Sequence, residues 1–399
     1  MTYSPKSIIY IFFLLISVDF GGDSILRAFA INANLIDTIA KYLISFVAFI
    51  LLASFGFKLP RRLPLLLPFL IFLGVILIGF LNGLLSNNIV NVLNETIPFF
   101  FITLFLVFSA IKNPFSVLEI ESFLKIFVYI VSFKVLIYLV ASYLVYDLFS
   151  WKILLKQSPF LLIPLSVYLS KVSIKIKSDR VYGLLLLLFI CIVFAQARML
   201  MLASIVIFMV YFLNRRVARG LFVAGSITAS LGIYMLITGI EITDFSKSLY
   251  GGGVFEKGLD YRIVQLEIIM NRLIDNPFLG VGFGYYTPGY LTYGELAKPF
   301  LLELDILNFI SKIGLIVTFF YGVAYILLFR LIKKIADDGV RLLAKSLFVS
   351  LVGLLIYSLG QTLHQSYLYW IVLAFVYGFV VSHLKAQNKF IEEDKKSER

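Results

Sequence analysis

An all-α, polytopic integral membrane protein is predicted by two observations. Hydrophobic residues make up 61% of the chain and the mean hydropathy is +0.98, well above the roughly 45–50% apolar usage of soluble domains. Apolar runs long enough to cross a bilayer as helices also recur from one end of the chain to the other. A membrane β-barrel would alternate in hydrophobicity along each strand, so these continuous runs exclude it. The 399 residues are therefore read as one membrane domain, 1–399, rather than as two or three soluble ones.

In chain order the runs predict about twelve transmembrane helices, near 7–22, 39–57, 63–81, 97–111, 123–146, 153–170, 181–197, 199–213, 220–239, 304–329, 346–363 and 366–384. The first resembles a secretory signal. It lacks a small-residue cleavage site followed by a soluble region, so it is read as a signal anchor. Basic clusters set the orientation. Lys6, the Lys58/Arg61/Arg62 group, Lys112, the clusters over 171–180, 215–219 and 330–345, and the tail 385–399 all fall on one side. The opposite short loops hold only Arg27, Lys152, Lys156 and Arg198. Basic residues collect on the cytoplasmic side, so both termini are cytoplasmic and the one long loop, 240–304, is periplasmic or extracellular. The solution requires 181–213 to be two short helices turning at Gln196-Ala197-Arg198, which puts Arg198 at the external membrane surface. Glu392 to Arg399 is read as a frayed cytoplasmic end.

Net charge is +12, but its distribution between apolar runs is a topology signal and excludes nucleic acid as a partner. A single cysteine, Cys191, inside an apolar run, and two histidines, His364 and His383, leave no disulfide framework and no metal motif. Neither a metal nor another cofactor is expected.

The long loop interrupts this lipid-soluble pattern and is where chemistry is expected. Ile263, Leu266, Met270 and Leu273 recur at helical spacing, with Arg262, Gln265, Asn271 and Arg272 on other faces. This predicts an amphipathic helix lying on the membrane surface, N-capped by Asp260 and stopped at Pro277, after a Gly251-Gly252-Gly253 hinge. Gly280, Gly282 and Gly284 imitate a dinucleotide fingerprint, but they follow a helix and none opens after them. They are read as a tight turn bringing backbone close to a ligand or the membrane.

Each charged candidate has a structural and a functional reading. Arg198 is either a snorkelling interfacial anchor or a guanidinium fork for an anionic head group arriving from the lipid. Arg262 either lies on a solvated face, paired with Asp260, or is a second arm on the same diphosphate. Glu303 and Asp305 either mark the water boundary or supply a general base for an acceptor hydroxyl, Glu303 being nearer the loop. Lys134 lies near the middle of a predicted span, where it either faces a cavity or snorkels. His364 is a reserve acid–base group or an interfacial hydrogen-bonding residue. Tyr285, Tyr286, Tyr290 and Tyr293 form an aromatic belt or stack on sugar.

Arg198 between two short spans, Arg262 followed by Asn276-Pro277-Phe278-Leu279-Gly280-Val281-Gly282-Phe283-Gly284, and then Glu303, Leu307 and Gly314-Leu315-Ile316 together resemble the bacterial O-antigen polymerase/ligase superfamily. The likeness is concentrated in residues 195–316. It implies a metal-independent glycosyltransferase of the bacterial inner membrane that uses undecaprenyl-diphosphate-linked oligosaccharide, with a chain-length regulator as a further partner. Ligase members tend to carry His-Asn where this chain has Glu303-Leu304, which tilts the reading toward a polymerase. The resemblance then gives Arg198 and Arg262 the donor diphosphate and Glu303 or Asp305 the acceptor hydroxyl. Lys134, His364 and the three glycines are further substrate-binding candidates. A ligase, and outside the superfamily a flippase or transporter of lipid-linked oligosaccharide, are the alternatives. Transporters usually show internal repeats, and this chain shows none.

Overall fold

The computed structural model describes residues 5–18, 43–53, 62–111, 113–146, 158–174, 179–195, 198–212, 254–285, 304–359, 363 and 366–397. Every regular element among them is helical. Among the described residues five stretches are long and apolar enough to cross a membrane: Leu63–Ser86, Ile89–Ser109, Asp305–Lys333, Asp338–Tyr357 and Tyr367–Asn388. The predicted span at 220–239 and the Gly251-Gly252-Gly253 hinge lie outside the described residues. The chain divides into two compact units, one made of 1–50, 115–252 and 349–354, the other of 51–114, 253–348 and 355–399.

The first unit contains α1 (Pro5–Val18), α6 (Val117–Tyr146), α7 (Leu162–Ser173), α8 (Asp179–Ala195) and α9 (Arg198–Phe212). A further helix, α2 (Leu43–Ala53), has residues 43–50 in the first unit and 51–53 in the second. Ser116 and Glu119 make a capping box at the start of α6. The Ser116 amide donates to Glu119 Oε2 at 2.7 Å, and the Glu119 amide to Ser116 Oγ at 3.3 Å. The same end is clamped to its neighbours, Glu119 accepting from Lys6 of α1 at 2.9 Å and Glu121 pairing with Lys171 of α7. The start of α1, the start of α6 and the end of α7 therefore lie together.

The second unit contains α3 (Leu63–Ser86), then α4 (Ile89–Thr96), a 3₁₀ stretch (Ile97–Leu104) and α5 (Phe105–Ser109) running on as one rod. Pro98 within that rod has no N–H for the carbonyl four residues back, and the helix tightens there instead of ending. The unit is completed by α10 (Val254–Asp275), α11 (Asp305–Lys333), α12 (Asp338–Tyr357, of which 349–354 group with the first unit) and α13 (Tyr367–Ser397). The core is aromatic: Phe105 stacks on Tyr377 at 4.2 Å, and Phe99 meets Phe283 at 4.9 Å and Trp370 at 5.1 Å.

Pro68 lies inside α3. One residue on, the Phe69 amide donates to Tyr377 Oη at 3.2 Å while that hydroxyl donates to the Leu65 carbonyl at 2.6 Å. A side chain from α13 thus inserts into the helical ladder beside the proline and satisfies both groups, which lipid could not do. At the other end of the chain α13 continues to Ser397, so most of the tail read as frayed is helix.

Candidate functional site

The Asn276–Gly284 motif is folded into the second unit between α3 and α11. After α10 ends at Asp275, Gly280, Gly282 and Gly284 adopt φ of 68°, 78° and 75°. The receiving helix α11 is itself broken at Gly314, φ 76° and ψ 171°. That break frees backbone groups which the loop takes up. The Val281 amide donates to Ser311 O at 3.2 Å, the Gly282 amide to Lys312 O at 2.9 Å, and the Leu315 amide to Pro277 O at 2.8 Å. On the other side the Phe283 amide donates to Gly79 O of α3 at 3.0 Å. The side-chain amides of Asn82 and Asn87 donate to the carbonyls of Leu279, Gly280, Val281 and Phe283 at 2.9–3.2 Å. Irregular backbone at this depth is tolerable because protein satisfies it. Gly79 lies seven residues from the end of α3 at Ser86, so the loop dips about 10 Å below that helix end.

The glycines are expected to bring backbone close to a ligand or the membrane; in the structure Gly280 and Gly282 instead lie against the backbone of α11 and α3. A Cβ on Gly282 would fall 2.4 Å from the Gly83 amide nitrogen, and one on Gly280 2.4 Å from the Lys312 carbonyl. Gly79 and Gly83, one helical turn apart, supply the matching groove on α3.

Around this loop is a cluster of buried polar groups. Glu95, Gln265, Arg272, Asp305, Asn308 and Lys312 are each no more than 4% exposed. Glu95 Oε1 pairs with Lys312 Nζ at 2.5 Å, and its Oε2 accepts from the Gly284 amide at 2.6 Å. Arg272 Nη1 donates to Asn308 Oδ1 at 2.8 Å, and its guanidinium lies 4.8 Å from the Tyr285 ring centroid. Gln265 Oε1 accepts from the Leu304 amide at 3.2 Å. Asp305 Oδ2 accepts from the Leu363 amide at 2.7 Å. Burial holds the Arg272 guanidinium below its ordinary pKa, while Tyr285 and Glu95 oppose that shift. With two carboxylates and two cations the cluster is neutral, the condition under which such charges survive away from water. Among the described residues no three His, Cys, Asp or Glu side chains come close enough to hold a metal.

Helix α10 corrects the amphipathic reading in two respects. It starts at Val254, so Asp260 is internal and is not the N-cap. Its protein-facing stripe is Gln265, Ile269 and Arg272, whereas Leu266, Met270 and Ile274 are exposed. The outward face mixes these apolar residues with Glu267, Asn271 and Asp275, and protein encloses Gln265 and Arg272 rather than leaving them on a wet face.

The residues singled out in the sequence divide as follows. Asp305 opens α11 and belongs to the buried cluster, and Gly280, Gly282 and Gly284 form the loop beside it. Arg262 lies within α10, ten residues before Arg272, and Tyr285 is half-buried against Arg272. Arg198 is the first residue of α9 and belongs to the first unit. Lys134 is in the same unit, on α6, and is 1% exposed. Glu303, His364, Tyr286, Tyr290 and Tyr293 lie outside the described residues.

Glu95, Gln265, Arg272, Asn308 and Lys312 carry the cluster and were not singled out. For Lys312 the signal was available, since a lysine inside an apolar run is costly unless it faces protein, the same argument that marked Lys134. Glu95 sits just before its predicted span and reads as a boundary residue. Gln265 and Arg272 read as the wet face of a surface helix. No protein-family model matches the chain, and no curated protein matches it either.

Proposed function

We propose that the protein is a metal-independent membrane glycosyltransferase, a repeat-unit polysaccharide polymerase with about twelve spans and residues 240–304 outside the cytoplasmic membrane. A growing glycan is transferred from undecaprenyl diphosphate to a sugar hydroxyl of a second lipid-linked repeat unit. The anomeric carbon–phosphate oxygen bond breaks, the new glycosidic bond forms to the acceptor oxygen, and the acceptor proton passes to a carboxylate. Glu303 or Asp305 is that base, and Arg198 and Arg262 hold the departing diphosphate, whose growing charge paired guanidinium forks stabilise.

The observation that supports this reading most is the buried neutral cluster packed against the loop that carries the Asn276–Gly284 motif. Charged groups enclosed in a membrane protein are costly and accompany sites of chemistry or transport. Arg272 sits about 15 Å along α10 from Arg262. It is therefore assigned a separate task, holding Asn308 and Tyr285, while Arg262 is assigned the donor diphosphate.

The test is the size profile of surface glycan in a deletion strain complemented with the wild type, Arg198→Ala or Arg262→Lys. Deletion collapses the ladder to single repeat units, the wild type restores it, and neither variant does, because lysine cannot reproduce a bidentate guanidinium contact. Full-length chains stranded on the lipid carrier would replace the polymerase with a ligase. Single units accumulating on the cytoplasmic side would make the protein a flippase.

A further inference from the structure

The contacts around the loop close into a circuit. From Gly284 N–H the path runs to the Glu95 carboxylate and on to Lys312 Nζ. One helical turn back along α11 from Lys312 is Asn308, which accepts from Arg272. Arg272 lies over Tyr285, and Tyr285 is bonded covalently to Gly284. The two oxygens of Glu95 bridge separate elements, the loop through Oε2 and α11 through Oε1.

We propose that Glu95 and Lys312 are a positioning pair that fixes the depth and exit of the Asn276–Gly284 loop, and through it the placement of Tyr285 over Arg272. The assignment rests on the polymerase reading only for its activity readout. Three features carry it. First, the pair is 0–1% exposed, so water does not compete for either partner. Second, Lys312 works twice: its carbonyl accepts from the Gly282 amide while its ammonium holds Glu95. Side chain and backbone of one residue thus grip the loop two residues apart. Third, the loop is held on its α3 side by the neutral amides of Asn82 and Asn87. The Glu95–Gly284 contact is its charge-assisted bond, the stronger class.

A pair needed only for charge neutrality would tolerate exchange of its two signs. A positioning pair of this geometry would not, because a lysine at position 95 has no oxygen to accept from Gly284 N–H. The experiment is hydrogen exchange on the full-length protein in lipid nanodiscs, read on peptides covering 276–285, with kcat and KM for polymerisation of lipid-linked repeat units measured in parallel. In the wild type the amides of Val281, Gly282, Phe283 and Gly284 exchange as slowly as the middle of α11. Fast exchange there overturns the proposal without any variant. Glu95→Gln keeps an acceptor but loses the charge; loop exchange rises about tenfold and kcat falls about tenfold at unchanged KM. The double variant Glu95→Lys/Lys312→Glu accumulates in the membrane better than either single charge reversal, yet keeps the fast loop and the low kcat. Wild-type protection and wild-type kcat in Glu95→Gln or in the exchanged pair would overturn it. Exchange requires no glycan, so if the protein proves not to polymerise, the loop measurement still decides the positioning claim.

Discussion

Gly314 shows how much one residue type decides. Its φ and ψ of 76° and 171° fall in a region essentially reserved for glycine. A Cβ there would lie 2.3 Å from the Phe278 carbonyl oxygen. Gly314→Ala is expected to cost about 3 kcal/mol, strain and lost loop pairing together, and to lower the melting temperature in detergent. A variant that melts like the wild type would show that the break in α11 does not depend on glycine. Arg272 makes a different kind of prediction. Burial lowers its pKa, but a guanidinium starts so high that it stays cationic at neutral pH. Arg272→Lys would keep a charge and lose both the guanidinium contact with the Tyr285 ring and the Nη1 bond to Asn308. An activity loss near that of Arg272→Ala is therefore expected in the glycan-ladder assay, and full activity would reduce Arg272 to a point charge.

At the scale of elements, much was legible in the sequence. Of the two short helices predicted over 181–213, α8 ends at Ala195 and α9 begins at Arg198. The long apolar runs at 63–81, 304–329 and 366–384 appear as α3, α11 and α13, each longer than its run. Runs underestimate helices because polar caps and basic ends carry no hydropathy signal, while the backbone goes on forming bonds. Illegible was the device that keeps α3 continuous past Pro68. Proline predicts a missing ladder bond, but nothing local says that Tyr377, some three hundred positions on, will fill it. Tyr377→Phe would strand the Leu65 carbonyl and the Phe69 amide, at an expected cost of about 1–3 kcal/mol in thermal unfolding. No change in melting would mean that the two groups find other partners.

For the whole molecule, topology is the claim that matters. Within each unit, the ends assigned to the cytoplasm by their basic residues lie together. Lys6, Glu119, Glu121 and Lys171 form ion pairs in one unit. In the other, Lys385 donates to Ser109 O at 2.9 Å and the Ala336 amide to Gln387 at 3.1 Å. Asp338 has a side chain 85% exposed on that end. In a Cys191→Ser background, Asp338→Cys is expected to resist an impermeant maleimide on intact cells and to label after permeabilisation. Labelling from outside would invert the topology and move the long loop into the cytoplasm.

The sequence by itself determined the class and the grain of this protein. A chain so apolar, with charges confined to short clusters and no strand-like alternation, satisfies its backbone in lipid as helices, and the clusters carry the proposed orientation. It also marked the Asn276–Gly284 motif, because glycine at alternate positions after a proline permits only a tight, closely approached turn. Tertiary structure alone decided what that turn approaches and which charges it gathers. Glu95, Arg272 and the pair Asp305 and Lys312 come from three separate stretches of chain, α4, α10 and α11, and no window of sequence holds all three. Their pairing depends on a break at Gly314 and a groove at Gly79 and Gly83, features whose meaning appears only when α3, α11 and the loop are packed together. Pairing of this kind is a long-range electrostatic and steric fit, and local periodicity holds no record of it.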